Sequence, residues 1–171
     1  MHYGEQTIAY LSLGSNLGDR AANLLRALTR FVSSQMILTA VSPVYQTEPV
    51  DYSDQPEFLN MAIAVTGFSG DPFSLLKFCL EAERELGRVR TIPRGARIID
   101  IDLLMFGDQV IDDASHGVNL TLPHPRMHLR RFVMTPMKDI APLLRHPLSG
   151  HTMSGILDAL EDSSSVRIYR G

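Results

Sequence analysis

Ile98-Ile-Asp-Ile-Asp-Leu-Leu-Met-Phe106 is an almost wholly apolar run that stops at Gly107-Asp108. Branched and bulky residues bounded by a turn signal read as a buried strand. Side chains alternate across a strand, so Asp100 and Asp102 project from one face, about 7 Å apart. Two carboxylates in so apolar a run repel each other and lose hydration unless a cation lies between them. Arg88, Arg90, Arg94 and Arg97 stand just upstream. A Mg²⁺-nucleotide is the other available cation, because Mg²⁺ binds through one or two carboxylates plus phosphate oxygens. A polyphosphate site explains acids and arginines together. A salt-bridged strand end beside a solvated arginine loop explains them separately, and at this level both readings stand.

The flanking sequence alternates between strand and helix. Ile8 to Leu13 is a short apolar strand closed by Gly14-Ser-Asn-Leu-Gly18. Apolar residues then fall at 21, 24, 25, 28 and 32, a helical period with Asp19 as N-cap. Met36 to Tyr45 is β-like, Pro49 to Pro56 is a polar loop, and Leu59 to Thr66 is a strand ended by Gly67 and Gly70. Asp71-Pro72 supplies an N-cap and a first-turn proline. Leu75, Leu76, Cys79, Ala82 and Leu86 form the buried stripe that follows, and Gly87 the stop. Glu83 shares that stripe, in the last turn, where the helix dipole disfavours an anion. It either bonds an arginine at the helix edge or accepts hydrogen bonds from a ligand beside the aspartates.

The order β-α-β-β-α-β predicts an α+β, ferredoxin-like fold, with both helices on one face of an antiparallel sheet. Beyond Phe106, five prolines leave one helix near Met153 to Leu160 and a short strand at Val166 to Tyr169. This extension is expected to pack on the same domain, so residues 1–171 form one unit.

Composition narrows the function. The 171 residues are 44% hydrophobic and 20% charged, ordinary for a soluble globular chain. A formal net charge of −3 gives no basic footprint for nucleic acid. An RNA-binding ferredoxin-like module would also need Lys/Arg-Gly-Phe-type strand motifs, which are missing. Cys79 is the single cysteine, so no intrachain disulfide forms and a reducing, cytoplasmic setting fits. The start has no signal-peptide pattern and no run of eighteen apolar residues points to a membrane. His124 and His128 are four apart, but prolines bracket the first and no third zinc ligand has suitable spacing. His2, His116, His146 and His151 read as surface residues. Gly14-Ser-Asn16 lacks the Gly-Lys-Ser/Thr element of a P-loop and reads as a tight turn.

Four blocks are more specific. They are Leu11-Ser-Leu-Gly-Ser-Asn-Leu-Gly-Asp19; Val44-Tyr-Gln-Thr-Glu-Pro-Val50 with Gln55-Pro-Glu-Phe-Leu-Asn60; Glu85-Leu-Gly-Arg-Val-Arg90 with Arg97-Ile-Ile-Asp-Ile-Asp-Leu-Leu104; and Leu122-Pro-His-Pro-Arg-Met127 with Arg130-Arg-Phe-Val133. In this order and with these gaps the chain resembles the 6-hydroxymethyl-7,8-dihydropterin pyrophosphokinases of folate biosynthesis, over residues 7 to 160.

The resemblance implies an enzyme that moves the pyrophosphoryl group of ATP onto the pterin hydroxymethyl oxygen, releasing AMP. It implies two Mg²⁺ ions on Asp100 and Asp102, which with Arg88 and Arg97 form the catalytic set. Arg88, Arg90 and Arg97 would grip phosphates, and His124 and Arg130 would reach the nucleotide. Leu103 and Thr121 would line the adenosine side, and Glu83 falls on a nucleotide-site position. Phe58 and Phe132 match the family's stacking aromatics, although core packing would explain either alone. Asn60 matches the amide that pairs with the ring edge, while Thr47, Glu48 and Val50 fall where a loop meets the pterin. ATP and the pterin are the implied partners of a monomer. Three positions depart from the family: Arg94 replaces a tryptophan, Pro93 a basic residue and Pro125 an aromatic. A rival class is a non-catalytic pterin- or nucleotide-binding regulator on the same fold, which loss of either aspartate would signal.

Overall fold

The computed structural model describes residues 7–50, 54–89 and 95–171. In chain order they form β1 (Ala9–Ser15), α1 (Arg20–Ser33), β2 (Ile37–Val41), β3 (Tyr45–Thr47), β4 (Phe58–Thr66), α2 (Pro72–Glu85) and β5 (Asp100–Phe106). The extension adds β6 (Ile111–Asp113), β7 (Leu120–Leu122), a 3₁₀ turn (Met127–Leu129), α3 (Arg131–Ile140), α4 (Met153–Ala159) and β8 (Val166–Ile168). Six strands make an antiparallel sheet in the order β5-β1-β4-β3-β8, with β2 also on β4. β6 and β7 form a separate hairpin-like pair.

Local signals set the first half as expected. The Asp19 side chain accepts the Ala22 N–H at 3.0 Å and that of Asp71 accepts the Ser74 N–H at 2.7 Å, so both helices start at their caps. Gly87 sits at φ +93°, the left-handed conformation that ends α2. The Met36 to Tyr45 stretch is two strands rather than one. β2 lies on Ile63–Thr66 and β3 on Phe58–Asn60. At the break the Ser42 N–H donates to the Ala62 carbonyl and Ser42 Oγ accepts the Ala62 N–H, both at 2.9 Å, so both backbone groups of Ala62 keep a partner.

Both core helices, α1 and α2, lie on one face of the sheet as expected, and the helices of the extension cover the other. On one face Leu11, Leu13, Met61, Ile63, Ile101 and Leu103 pack against Leu24, Ala27 and Phe31 of α1 and Leu75, Cys79 and Ala82 of α2. Burial also pushes the Cys79 thiol pKa far up. On the other face Ala62, Leu104 and Met105 meet Met127, the α3 residues Val133, Met134 and Met137, and Met153 of α4. The adaptable thioether chains fill the irregular gap between the sheet and two short helices.

Helix α3 escapes a local reading for a physical reason. Its N-cap residue, Arg130, makes no capping bond, and Pro136 interrupts its interior. The cap comes from afar: the Arg131 N–H donates to Asp162 Oδ2 at 2.8 Å, 31 residues on. His146 is likewise buried, not on the surface, at 4% exposure, because the chain after α3 folds back and sets its ring edge-on to His128 at 5.5 Å. Burial, and then His128, lower its pKa.

Candidate active site

Register places the polar side chains. Asp100 pairs with Gly14, which pairs with Asn60; Asp102 pairs with Ser12, which pairs with Ala62. Cross-strand partners share a face, so Asp100, Asp102, Ser12 and Asn60 all turn away from α1 and α2. A bulge in β5 follows: Leu11 pairs with Leu103 but Tyr10 with Met105, which leaves Leu104 as the extra residue. Its carbonyl accepts the His124 N–H at 2.8 Å and so ties the segment after β7 to β5.

Two cavities meet along β5, the edge strand of the sheet. Thr47, Glu48, Val50, Phe58, Asn60 and Phe132 line the first, of ≈ 130 Å³. Glu83, Arg88, Leu103, Thr121 and His124 line the second, of ≈ 460 Å³. Arg97, Asp100, Asp102 and Arg130 line both and form the wall where they join. Arg90, Pro93 and Arg94 lie outside the described residues.

The charges on that wall are interlocked. Arg88 Nη1 lies 2.5 Å from both Glu83 Oε1 and Asp100 Oδ1, and Arg97 Nη1 lies 2.9 Å from Asp100 Oδ2. Each Asp100 oxygen therefore faces its own guanidinium. Glu83, only 3% exposed, also accepts the Ile101 N–H at 2.7 Å and so joins the end of α2 to the start of β5. Asp102 is pushed up to about 7, first by burial and then by the charge of Asp100. His124 is pushed down to about 4, first by burial and then by Arg130 and Arg126. Its Nδ1 accepts the Arg126 N–H at 3.2 Å, which leaves the proton of the neutral ring on Nε2.

The first cavity is flat-sided with one polar edge. Arg97 Cζ lies 5.6 Å from the Phe58 ring centre, and Arg130 Cζ 5.6 Å from that of Phe132. Asn60, 4% exposed, donates from Nδ2 to Thr47 Oγ1 at 2.7 Å. A Cβ on Gly14 would sit 2.5 Å from Asn60 Oδ1, so the glycine is what lets that amide lie across β1. Gly14 and Ser15 belong to β1 itself rather than to a tight turn.

Three contributors went unassigned in the sequence. Arg126 lines both cavities, and its place in the Leu122–Met127 block was the only signal for it. Ser12 faces the first cavity and was findable as the polar residue interrupting an apolar strand. Asn16 is structural: its Oδ1 accepts the Arg97 N–H at 2.8 Å, while Nδ2 donates to Gln55 Oε1 and the Pro56 carbonyl, each at 3.1 Å. Among the described residues no three His, Cys, Asp or Glu side chains cluster as a metal cage. The aspartate pair is a two-carboxylate donor set.

Residues 10–142 match the family model for 7,8-dihydro-6-hydroxymethylpterin-pyrophosphokinase. A Methylorubrum extorquens 2-amino-4-hydroxy-6-hydroxymethyldihydropteridine pyrophosphokinase is 41% identical over 164 residues, 95% of this chain and 99% of that protein. The Bacillus subtilis protein of the same name is 42% identical over 134 residues, 78% of this chain and 77% of its own length. The Schizosaccharomyces pombe folic acid synthesis protein fol1 is 38% identical over 174 residues, and the chain spans 99% of itself but 23% of that protein. A Plasmodium falciparum HPPK-DHPS structure with pterin and p-hydroxybenzoate superposes at a TM-score of 0.72 with 17% identity, covering 92% of this chain and 44% of that one. At that identity the superposition speaks for the fold.

Proposed function

The chain belongs to the 7,8-dihydro-6-hydroxymethylpterin-pyrophosphokinase family, and from that premise we propose that it transfers the pyrophosphoryl group of ATP to the hydroxymethyl oxygen of 6-hydroxymethyl-7,8-dihydropterin. AMP and the pterin diphosphate are the products, and folate synthesis is the setting. The observation that carries the reading is the shared wall: Asp100 and Asp102 stand where a flat, aromatic-sided cavity opens onto a larger arginine-lined one.

The residues suit the roles. Phe58 and Phe132 offer ring faces to a planar heterocycle, and offset stacking contributes about 0.5–1.5 kcal/mol beyond burial. Asn60 is held rigidly by Thr47 and can present a donor and an acceptor to the ring edge. Arg88 and Arg97, fixed by Asp100, and Arg126 and Arg130 supply cationic donors for phosphate oxygens. The neutral His124 offers Nε2–H as a donor without adding charge.

The donor set also fits Mg²⁺. Two carboxylates without a third protein ligand are what this ion accepts when phosphate oxygens and water complete its shell. Asp100 and Asp102 would hold two ions, whose charge would neutralise the oxygens of the transferred group. The proposal extends to a monomer of one domain acting in the cytoplasm, in keeping with a lone cysteine buried among apolar side chains.

The test is AMP formation from ATP and Mg²⁺ with and without the pterin. AMP should appear only when the pterin is present and should vanish in a folded Asp100→Ala variant. Calorimetric binding of both ligands with no AMP would instead favour the regulator.

A further inference from the structure

Each wall of the first cavity is reached by the same short segment near the C-terminus. β8 pairs with β3, setting Val166 opposite Thr47, Arg167 opposite Gln46 and Ile168 opposite Tyr45. The Glu48 N–H donates to the Ser165 carbonyl at 3.4 Å, and the Tyr169 N–H to the Val44 carbonyl at 2.8 Å. Arg167 Nη2 donates to Glu57 Oε1 at 2.9 Å, and Gln46 Nε2 donates to the other oxygen of that carboxylate. Thr47, Glu48 and Phe58, the neighbour of Glu57, line the first cavity and not the second.

The same segment holds the opposite wall. Asp162 Oδ2 accepts the Arg131 N–H at 2.8 Å, and Asp162 Oδ1 accepts the Ser164 N–H at 2.9 Å. Arg131 answers with Nε to the Asp162 carbonyl at 2.6 Å and Nη2 to the Leu160 carbonyl at 3.3 Å. Arg131 opens α3 and adjoins Phe132, the aromatic on that side. An anion at a helix N-terminus is favoured by the orphan N–H groups and the dipole. These bonds hold the Asp162 carboxyl below its usual range despite a contrary push from burial.

We infer that residues 160–169 are a clasp that fixes the spacing between the two walls of the first cavity, with Asp162 and Arg167 as positioning residues for the pterin. The clasp lies beyond residues 10–142, which match the family model. The inference rests on the reading of that cavity as the pterin site. The clasp's hydrogen bonds named above run to β3, Glu57 and Arg131, beside the walls of the first cavity, so its loosening acts chiefly on one substrate. A planar ring gripped between two faces is sensitive to their separation, since dispersion fades over a gap of 0.5–1 Å.

The full chain is titrated calorimetrically with the pterin and, separately, with a nonhydrolysable ATP analogue plus Mg²⁺. Asp162→Ala and Arg167→Ala should each bind the pterin about tenfold more weakly, a difference of about 1.4 kcal/mol. Both should keep nucleotide affinity within about twofold of wild type, which also reports that they are folded. Asp162→Asn retains an acceptor oxygen for the Arg131 N–H and should recover most of the loss. Variants that bind both ligands as wild type does, or that lose both in parallel, would overturn the clasp. A wild-type chain that binds nucleotide but no pterin would overturn the functional reading and, with it, the clasp.

Discussion

Removing the Glu83 carboxylate tests whether the site is built on a buried anchor. In Glu83→Ala the Ile101 N–H loses the acceptor it holds at 2.7 Å, and among the described residues Arg88 keeps its ion pair with Asp100 alone. An orphaned buried N–H costs about 1–3 kcal/mol, and a hydrogen bond to a charged partner contributes about 1.5–3 kcal/mol. The Arg88 and Glu83 side chains are 12% and 4% exposed, so solvent screening discounts little of this. One oxygen serves both bonds, so the terms overlap and a loss of about 3–5 kcal/mol is expected. Glu83→Gln keeps an acceptor oxygen for both donors and should cost about 1–2 kcal/mol, the charge-assisted share. Urea unfolding of the metal-free chain is the assay, with the midpoint falling at constant slope. An alanine variant within 1 kcal/mol of wild type would show that α2 and β5 are held together by something other than this carboxylate.

Gly14→Ala should place a methyl 2.5 Å from Asn60 Oδ1 and displace that amide; pterin affinity should fall by about tenfold or more while nucleotide affinity holds, and unchanged pterin titrations would refute it. Arg126→Ala should lower kcat/KM about 10- to 100-fold, the value of one charge-assisted contact, and a change under twofold would remove it from the phosphate-binding set. In pH dependence, Asp102 and His124 oppose each other. Asp102, raised from 3.8 to about 7, keeps a proton that the unfolded chain has released, so its share of stability declines as pH rises across that window. His124, lowered from 6.5 to about 4, refuses a proton that the unfolded chain takes up, so its share declines as pH falls. Asp102→Asn should therefore unmask a metal-free stability that climbs from about pH 4 to 6.5; denaturation midpoints with a wild-type slope would contradict it.

What could be read from the chain alone follows the range of the forces. Caps at Asp19 and Asp71 act over three residues, and the alternation that puts Asp100 beside Asp102 acts over two, so both elements were legible. Helix α3 was not, because Asp162 caps it from 31 residues away and Arg130 and Pro136 speak against a helix locally. The Leu104 bulge was hidden as well, since an apolar run reads the same with or without an extra residue. With α3 unread, the second covered face of the sheet could not be foreseen, nor could the burial of His146. Arg126 lies inside the Leu122–Met127 block, where nothing in the sequence gives it a role; folding sets it at the junction.

Charge balance connects that geometry to the proposed chemistry. Among the described residues lining the larger cavity, Arg88, Arg97, Arg126 and Arg130 face Glu83, Asp100 and Asp102, which leaves one net positive charge when all are ionised. A bound triphosphate carries several more negative charges than that, and four arginines already shared with three carboxylates cannot neutralise it. Divalent cations on the aspartates would close the gap, and they would do so at the residue whose pKa shows the greatest need of a cation. Replacing Asp102 by a neutral residue would relieve the protein and starve the ligand at once. On the proposed reading, the instability of a half-buried carboxylate without its cation is therefore the counterpart of its affinity for one.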